Sequence, residues 1–434
     1  SPVTSSGMLT AAEIEQHIED VGHETRGIEF KGAPKVDTDK KYYLAKIVRA
    51  ALSMANLRDG GHVVLGIAES KGGLVIEGLS NDQVAEWTDF DTVSSAFSTY
   101  ADPPMTFEIS AVALAGGDKV VVIQVDCFTD IPHLCAKGYN LGKDEVLRQG
   151  ALYVRNRRMP ETSEVASHVE MRDVLSIATQ NALRDFVATA QNAGVELHIS
   201  ERASAPHSVT EEFVKEATSL WSGDDEYARR GLAHWDISIR PKPFRSNRFG
   251  RSMLESIIER STVRMRGWPV PYTGEILNRT ACIGSDVDAR ITPHEEKWRL
   301  STSGQFLHRR VVMTEFTDHP EMIPIWEVLF YLTEVVELAA RLAQSTTTPP
   351  QMTIEATLCG VAGRILVADH AKHDLHGDHR THDESLTASV EVPVTELLAN
   401  PRTLAVQMSK SIFQGFGFHP SDEFLSDYQK ELTN

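Results

Sequence analysis

Cysteine is scarce in this sequence: four in 434 residues, Cys127, Cys135, Cys282 and Cys359. No two are spaced as a CxxC pair, which argues against a zinc ribbon, and we read them as free, mostly buried thiols of a reducing compartment. Long apolar runs are also missing; none approaches the ~18 residues needed to span a bilayer. The first seven residues are small and polar and resemble a cloning remnant, so Met8 is expected to be the natural start. They have neither the basic flank nor the apolar stretch of a signal peptide, and the protein is expected to be cytoplasmic. Positive charge is in deficit, with 43 Lys and Arg against 61 Asp and Glu and a formal net charge of −18. That balance counts against passive attraction to phosphates. It leaves room for a protein with a local basic track and a metal ion to offset its own carboxylates. No internal repeat and no low-complexity tract is present.

What is there is globular. An apolar fraction of 41% and a charged fraction of 24% exclude a disordered chain, and the length suits two or three domains. Thr10 followed by Glu13 reads as a capping box that opens a helix over 11–21. Ile28 to Lys31 reads as a short strand. Residues 40–55 form a helical pattern, with Leu44, Ile47, Val48, Ala51 and Leu52 on one face. After Gly60-Gly61, His62 to Ala68 reads as one buried strand. A helix at 90–100, a hairpin of Phe107–Ala113 and Lys119–Val125 through Gly116-Gly117, a last strand at Leu152–Arg155 and a long helix over 164–192 complete this half.

Periodicity stops near 195–210, where Ser200, Ser204, Pro206 and Ser208 gather. The expected division is therefore 8–195 and 196–434, with fold class α+β: a mixed-sheet first domain and a second α/β domain. The second half predicts helices at 210–220, 250–260 and 401–413, and strands near 235–240, 261–265, 298–301, 352–368 and 385–393. Ile323 to Leu342 is expected to be an apolar core helix, and the end of the chain a mobile acidic tail.

The chemistry-bearing string is HETRGIEFK. Glu24 and Glu29 stand five residues apart, Lys31 follows, and Glu69 lies at the exit of the strand HVVLGIAE. Three carboxylates gathered at a sheet edge would repel one another and hold a hard cation such as Mn²⁺ or Mg²⁺. Such an ion polarises a phosphodiester or activates a water, and Lys31 would face the charge developing on phosphate oxygens. By spacing alone, these acids also read as an ordinary solvated surface.

GIEFKGA, a helix ending in SMAN, GGHVVLGIAES and later GALYVRNRRMPET occur in this order over residues 22–160, and together they resemble the Schlafen and AlbA-type family. The resemblance implies a mixed-sheet domain that acts on nucleic acid. In Schlafen members it is a metal-dependent endoribonuclease cutting structured RNA, transfer RNA above all; in some members it is described as a DNA-binding module. Carried over residue by residue, Glu24 and Glu29 match the two glutamates and Lys31 the lysine of the motif. The third acidic position, usually Asp, is occupied by Ala68, with Glu69 next to it. The resemblance also implies a homodimer, because Schlafen cores pair two related lobes and one is recognisable here. An anti-phage or stress effector is the expected setting; a non-catalytic nucleic-acid-binding regulator is the alternative.

Lys40, Lys41, Lys46, Arg49, Arg155, Arg157 and Arg158 are candidate phosphate contacts, or else ordinary partners of the many acids. Asn56 reads as a helix-end or loop-holding residue and Tyr153 as a core tyrosine. The loop DHAKHDLHGDHRTHDE places His370, His373, His376, His379 and His382 at every third residue; its spacing matches no structural zinc site, and a solvated hairpin loop is the leading reading. Trp268 and Trp298, each beside arginines, read as packing residues or a stacking pocket. The second half resembles the extension beside some bacterial AlbA-type domains, and a sensing or assembly role is expected for it.

Overall fold

The computed structural model describes residues 8–156, 162–165, 168–193, 211–221, 225–288, 294–344, 349–368, 375 and 377–433. The chain divides into two compact units, one ending at Phe186 and the other starting at Val187.

The first unit is built on a four-stranded mixed sheet. Its order is Ile28–Lys31, Gly61–Leu65, Lys119–Val125, Phe107–Ala113; the first pair is parallel and the others antiparallel. Side chains alternate across such a sheet, and both faces are covered. Val63, Leu65, Val121 and Ile123 pack under the Lys40–Ala55 helix. Phe30, Val64, Val120 and Val122 face Leu9 and Ile14, which belong to the start of the chain and the Ala11–Asp20 helix. That first helix carries the expected capping box between Thr10 and Glu13.

Glycine decides two corners. Gly60 has φ +66°, and a Cβ there would stand 1.9 Å from the Val125 carbonyl oxygen. Gly66 has φ +102° and breaks the single strand expected over 62–68 into Gly61–Leu65 and Ile67–Ser70. The second piece leaves the main sheet and pairs antiparallel with Gly73–Ile76. Leu152–Arg155 is also not the last strand. Tyr153–Arg155 forms an antiparallel pair with Thr162–Glu164, and the long helix starts only at His168. A helix at Asn81–Thr88 escaped the sequence reading although Ser80 and Gln83 make a capping box there.

The second unit contains a seven-stranded antiparallel sheet. It runs Leu277–Asn278, Cys282–Asp288, Glu295–Ser301, Phe306–Val311, His234–Lys242, Gln351–Cys359, Ser385–Pro393. Every pairing within this sheet is antiparallel, so no crossover helix is required between neighbours, and the α+β class is as expected. The Ile325–Ala343 helix lies in its core, as expected, but it is not apolar all round. Glu327, Glu334, Glu337 and Arg341 are buried on it, and Glu334 is paired with Arg266, Glu337 with Arg341 and Glu327 with Arg310. The long strand expected over 352–368 ends at Cys359, and Ile365–Val367 pairs elsewhere. The expected mobile tail is instead a capped helix, Asp422–Lys430, that buries Leu425 and Tyr428. Among the described residues no helix is long and apolar enough to cross a membrane.

Candidate functional site

Strand alternation puts Glu29 and Lys31 on one side of the Ile28–Lys31 strand and sends Phe30 into the opposite core. Glu24 precedes the strand and folds back on it: its Oε1 accepts the Phe30 N–H at 3.0 Å. Lys31 Nζ is paired with Glu29 and lies 4.0 Å from Glu24. From the other side comes Arg155. Its guanidinium donates to Glu29 Oε2 at 2.7 Å and to the Thr25 carbonyl at 2.8 Å, and lies 3.6 Å from Glu24. Thr162, on the neighbouring strand, donates its hydroxyl to the same Glu29 oxygen at 3.1 Å.

Two carboxylates and two cations thus form a locally neutral cluster. Its members differ in exposure, and the difference assigns their roles. Side-chain exposure is 20% for Lys31, 10% for Glu24, 8% for Glu29 and 0% for Arg155. Lys31 is the member a ligand meets first. Burial, and next the neighbouring Glu29 charge, raise the Glu24 carboxyl above the ordinary value; Lys31, the Phe30 N–H and Arg155 oppose the rise.

Glu69 comes to the same place by a different bond. Its Oε1 accepts the backbone N–H of Glu24 at 3.3 Å. Of the two sequence candidates for the third acidic position, Glu69 is the one that reaches Glu24. Its carboxylate does not join the other two around a common point: among the described residues no three His, Cys, Asp or Glu side chains are grouped to hold a metal ion. All four oxygens of Glu24 and Glu29 already face cations or donors of the chain. A divalent ion held here would have to displace these contacts of the two carboxylates.

The expected basic track divides. Lys40, Lys41 and Lys46 are exposed on the Lys40–Ala55 helix. Lys40 pairs loosely with Glu86 at 3.3 Å, and Lys46 lies over the Tyr42 ring. Arg49 is turned inward: it donates to the Thr162 carbonyl at 3.1 Å and lies over the Tyr153 ring. Arg155 is interior and cannot touch a phosphate, which corrects its place in that track; a strand pattern does not reveal which arginine will find buried carboxylates. Arg157 and Arg158 lie outside the described residues.

Sequence reasoning missed Thr162 and the reach of Asn56. The Asn56 side chain donates to the carbonyls of His133 (2.8 Å) and Tyr153 (3.0 Å) and accepts the His133 N–H at 2.8 Å. It thereby ties the helix end to the strand that carries Arg155. Only the SMAN motif hinted at this. Tyr153 is a core residue, as expected. Trp298 is fully buried, and Trp268 packs against Tyr272 and His294. Of the histidine-rich loop, His379 packs on Phe418 and His382 is exposed; His370, His373 and His376 lie outside the described residues.

No curated protein matches the chain. Among solved structures, the DIP2311 protein from Corynebacterium diphtheriae is similar over 43% of this chain and 34% of its own length, at 15% identity and a TM-score of 0.27. The chain therefore spans about a third of that protein. The family model described as "Schlafen, AlbA_2" matches residues 24–161, a stretch that starts at Glu24 and takes in Glu29, Lys31, Glu69 and Arg155. The N-terminal part of the chain is a Schlafen/AlbA-type domain.

Proposed function

We propose that the Schlafen/AlbA-type domain binds nucleic acid, RNA or DNA, with Lys31 meeting the phosphate backbone and Lys40, Lys41 and Lys46 extending the contact. The observation that carries this reading is the family match over the segment that holds the cluster, with Lys31 its most exposed member. Glu24, Glu29 and Arg155 then act beneath the surface. They fix where the lysine ammonium sits and leave it one short movement from a phosphate oxygen.

Anisotropy titrations with labelled transfer RNA and duplex DNA, at low and at near-physiological salt, test the proposal. Affinity should fall as salt rises and should drop further in a Lys40→Glu, Lys41→Glu, Lys46→Glu triple variant. Absence of binding to both polymers at low salt would remove it.

The second reading is a metal-dependent endoribonuclease acting on structured RNA such as transfer RNA, the activity the motif resemblance implies. It is favoured by the meeting of Glu24, Glu29 and Lys31, with Glu69 bonded to the backbone of the first. Incubation of the full chain with transfer RNA and Mn²⁺ or Mg²⁺ separates the two readings. Cleavage that disappears in Glu29→Ala and with a chelator supports it; intact RNA beside measurable binding leaves a binding module. The homodimer that would supply a second lobe is tested by light scattering on the same sample.

A further inference from the structure

The second unit carries a cleft of about 360 Å³ on the sheet face away from its apolar core. Three adjacent strands line it. Asp286 lies opposite Lys297, and Lys297 opposite Arg309. Arg299, two residues beyond Lys297, shares their side, while Trp298 between them is buried in the core. Trp221 closes one wall, with the guanidinium carbons of Arg299 and Arg309 at 5.3 and 4.8 Å from its ring.

The charges do not cancel. Lys297 is bonded to Glu226, Arg299 to Asp286 at 2.7 Å, and Arg309 to Asp236 at 3.0 Å with Asp225 at 3.7 Å. Arg229 and Arg279 also line the cleft, and neither forms an ion pair among the described residues. Five cations thus face four carboxylates, Asp225, Glu226, Asp236 and Asp286, and a protein of net charge −18 keeps a net positive charge in one small depression. Arg299 is 6% exposed at its side chain, and its Nε is buried without a hydrogen-bond partner, which costs about 1–3 kcal/mol.

We propose that this cleft is a binding site for a small phosphate monoester. A phosphate group carries roughly −1.5 to −2 at neutral pH and would draw on Arg229 and Arg279, the two lining cations outside any ion pair among the described residues. Its oxygens suit the forked donors of arginine, and it offers three strong acceptors where a carboxylate offers two. The cation–π contacts to Trp221 hold Arg299 and Arg309 in place, so less side-chain freedom is lost on binding.

Calorimetry on the full chain tests the site, with inorganic phosphate, pyrophosphate, adenosine monophosphate and uncharged adenosine as probes. Heat is expected with phosphate-bearing probes and none with adenosine. Tighter binding of the nucleotide than of inorganic phosphate would identify a phosphate ester as the ligand; equal binding would narrow it to the free ion and overturn the ester. Arg229→Gln and Arg279→Gln change exposed side chains and should fold normally, and each should weaken binding about tenfold or more. No heat with any phosphate at low salt, or affinity unchanged in both variants, overturns the proposal.

Discussion

Arg155 donates to Glu29 at 2.7 Å across 126 residues of sequence, inside the first unit. The arginine side chain is fully buried, and the glutamate nearly so. Removing one partner of such a pair strands the other's charge in a poorly solvated place. Arg155→Met should lower the unfolding free energy by about 3–5 kcal/mol, read from denaturant midpoints. The double variant Arg155→Met, Glu29→Met should lose less than the single one. Equal losses would mean that the pair is not what holds this corner.

Glu24 gives a pH signature. Its carboxyl keeps its proton to a higher pH in the folded chain than in the unfolded one, chiefly because of burial and then because of Glu29. A group raised in this way contributes stability that is present below the ordinary carboxylate range and is lost as pH rises through its folded value. The stability of the wild-type chain relative to Glu24→Gln should therefore fall as pH rises above the ordinary carboxylate range. A difference that grows there would contradict the burial of this carboxyl.

Asn56 bonds the His133 backbone through both its N–H and its carbonyl, and the Tyr153 carbonyl as well. Asn56→Ala leaves these buried groups unmade, and a loss of about 3 kcal/mol is expected. Asn56→Asp should also destabilise, since it removes the donor that serves both carbonyls. Hydrogen exchange at the His133 amide should speed up in Asn56→Ala, which removes its acceptor; an unchanged amide there would show that the clasp is dispensable.

Cys359 is pushed up to about 11, by burial first and then by Asp236 and Asp225. The thiol form is thus retained well above neutrality. Its contribution to stability is present below the unfolded thiol's value and lost as pH rises through about 11. In the native protein this residue should resist alkylation at about pH 8 and react progressively faster toward strong alkali. Peptide mapping after timed alkylation checks it; rapid labelling near neutrality would show an activated thiolate.

The Arg49 and Arg155 positions show where a one-dimensional reading stops. Both arginines were candidates for a phosphate track with the lysines, or else ordinary partners of the acids, and both turn out to serve the interior. Helix and strand periods state which side of an element a residue takes, not what stands opposite. Gly66 illustrates the same limit for the backbone. Its positive φ turns the chain and moves Glu69 onto a separate two-stranded ribbon, where an apolar run read as one continuous strand. The Thr10–Glu13 cap and the Lys40–Ala55 helix were legible because caps and amphipathic stripes are local.

Local order along the chain therefore determined the capped helices, the hairpin at Gly116-Gly117, the α+β class and the acidic pair beside Lys31. Tertiary structure alone decided that this pair is neutralised by an arginine from far downstream, and that Glu69 bonds a backbone N–H instead of joining a ring of carboxylates. The reason is physical: propensity and periodicity act over one or two turns, whereas the partner of a buried charge is chosen by desolvation, which depends on everything that packs around it.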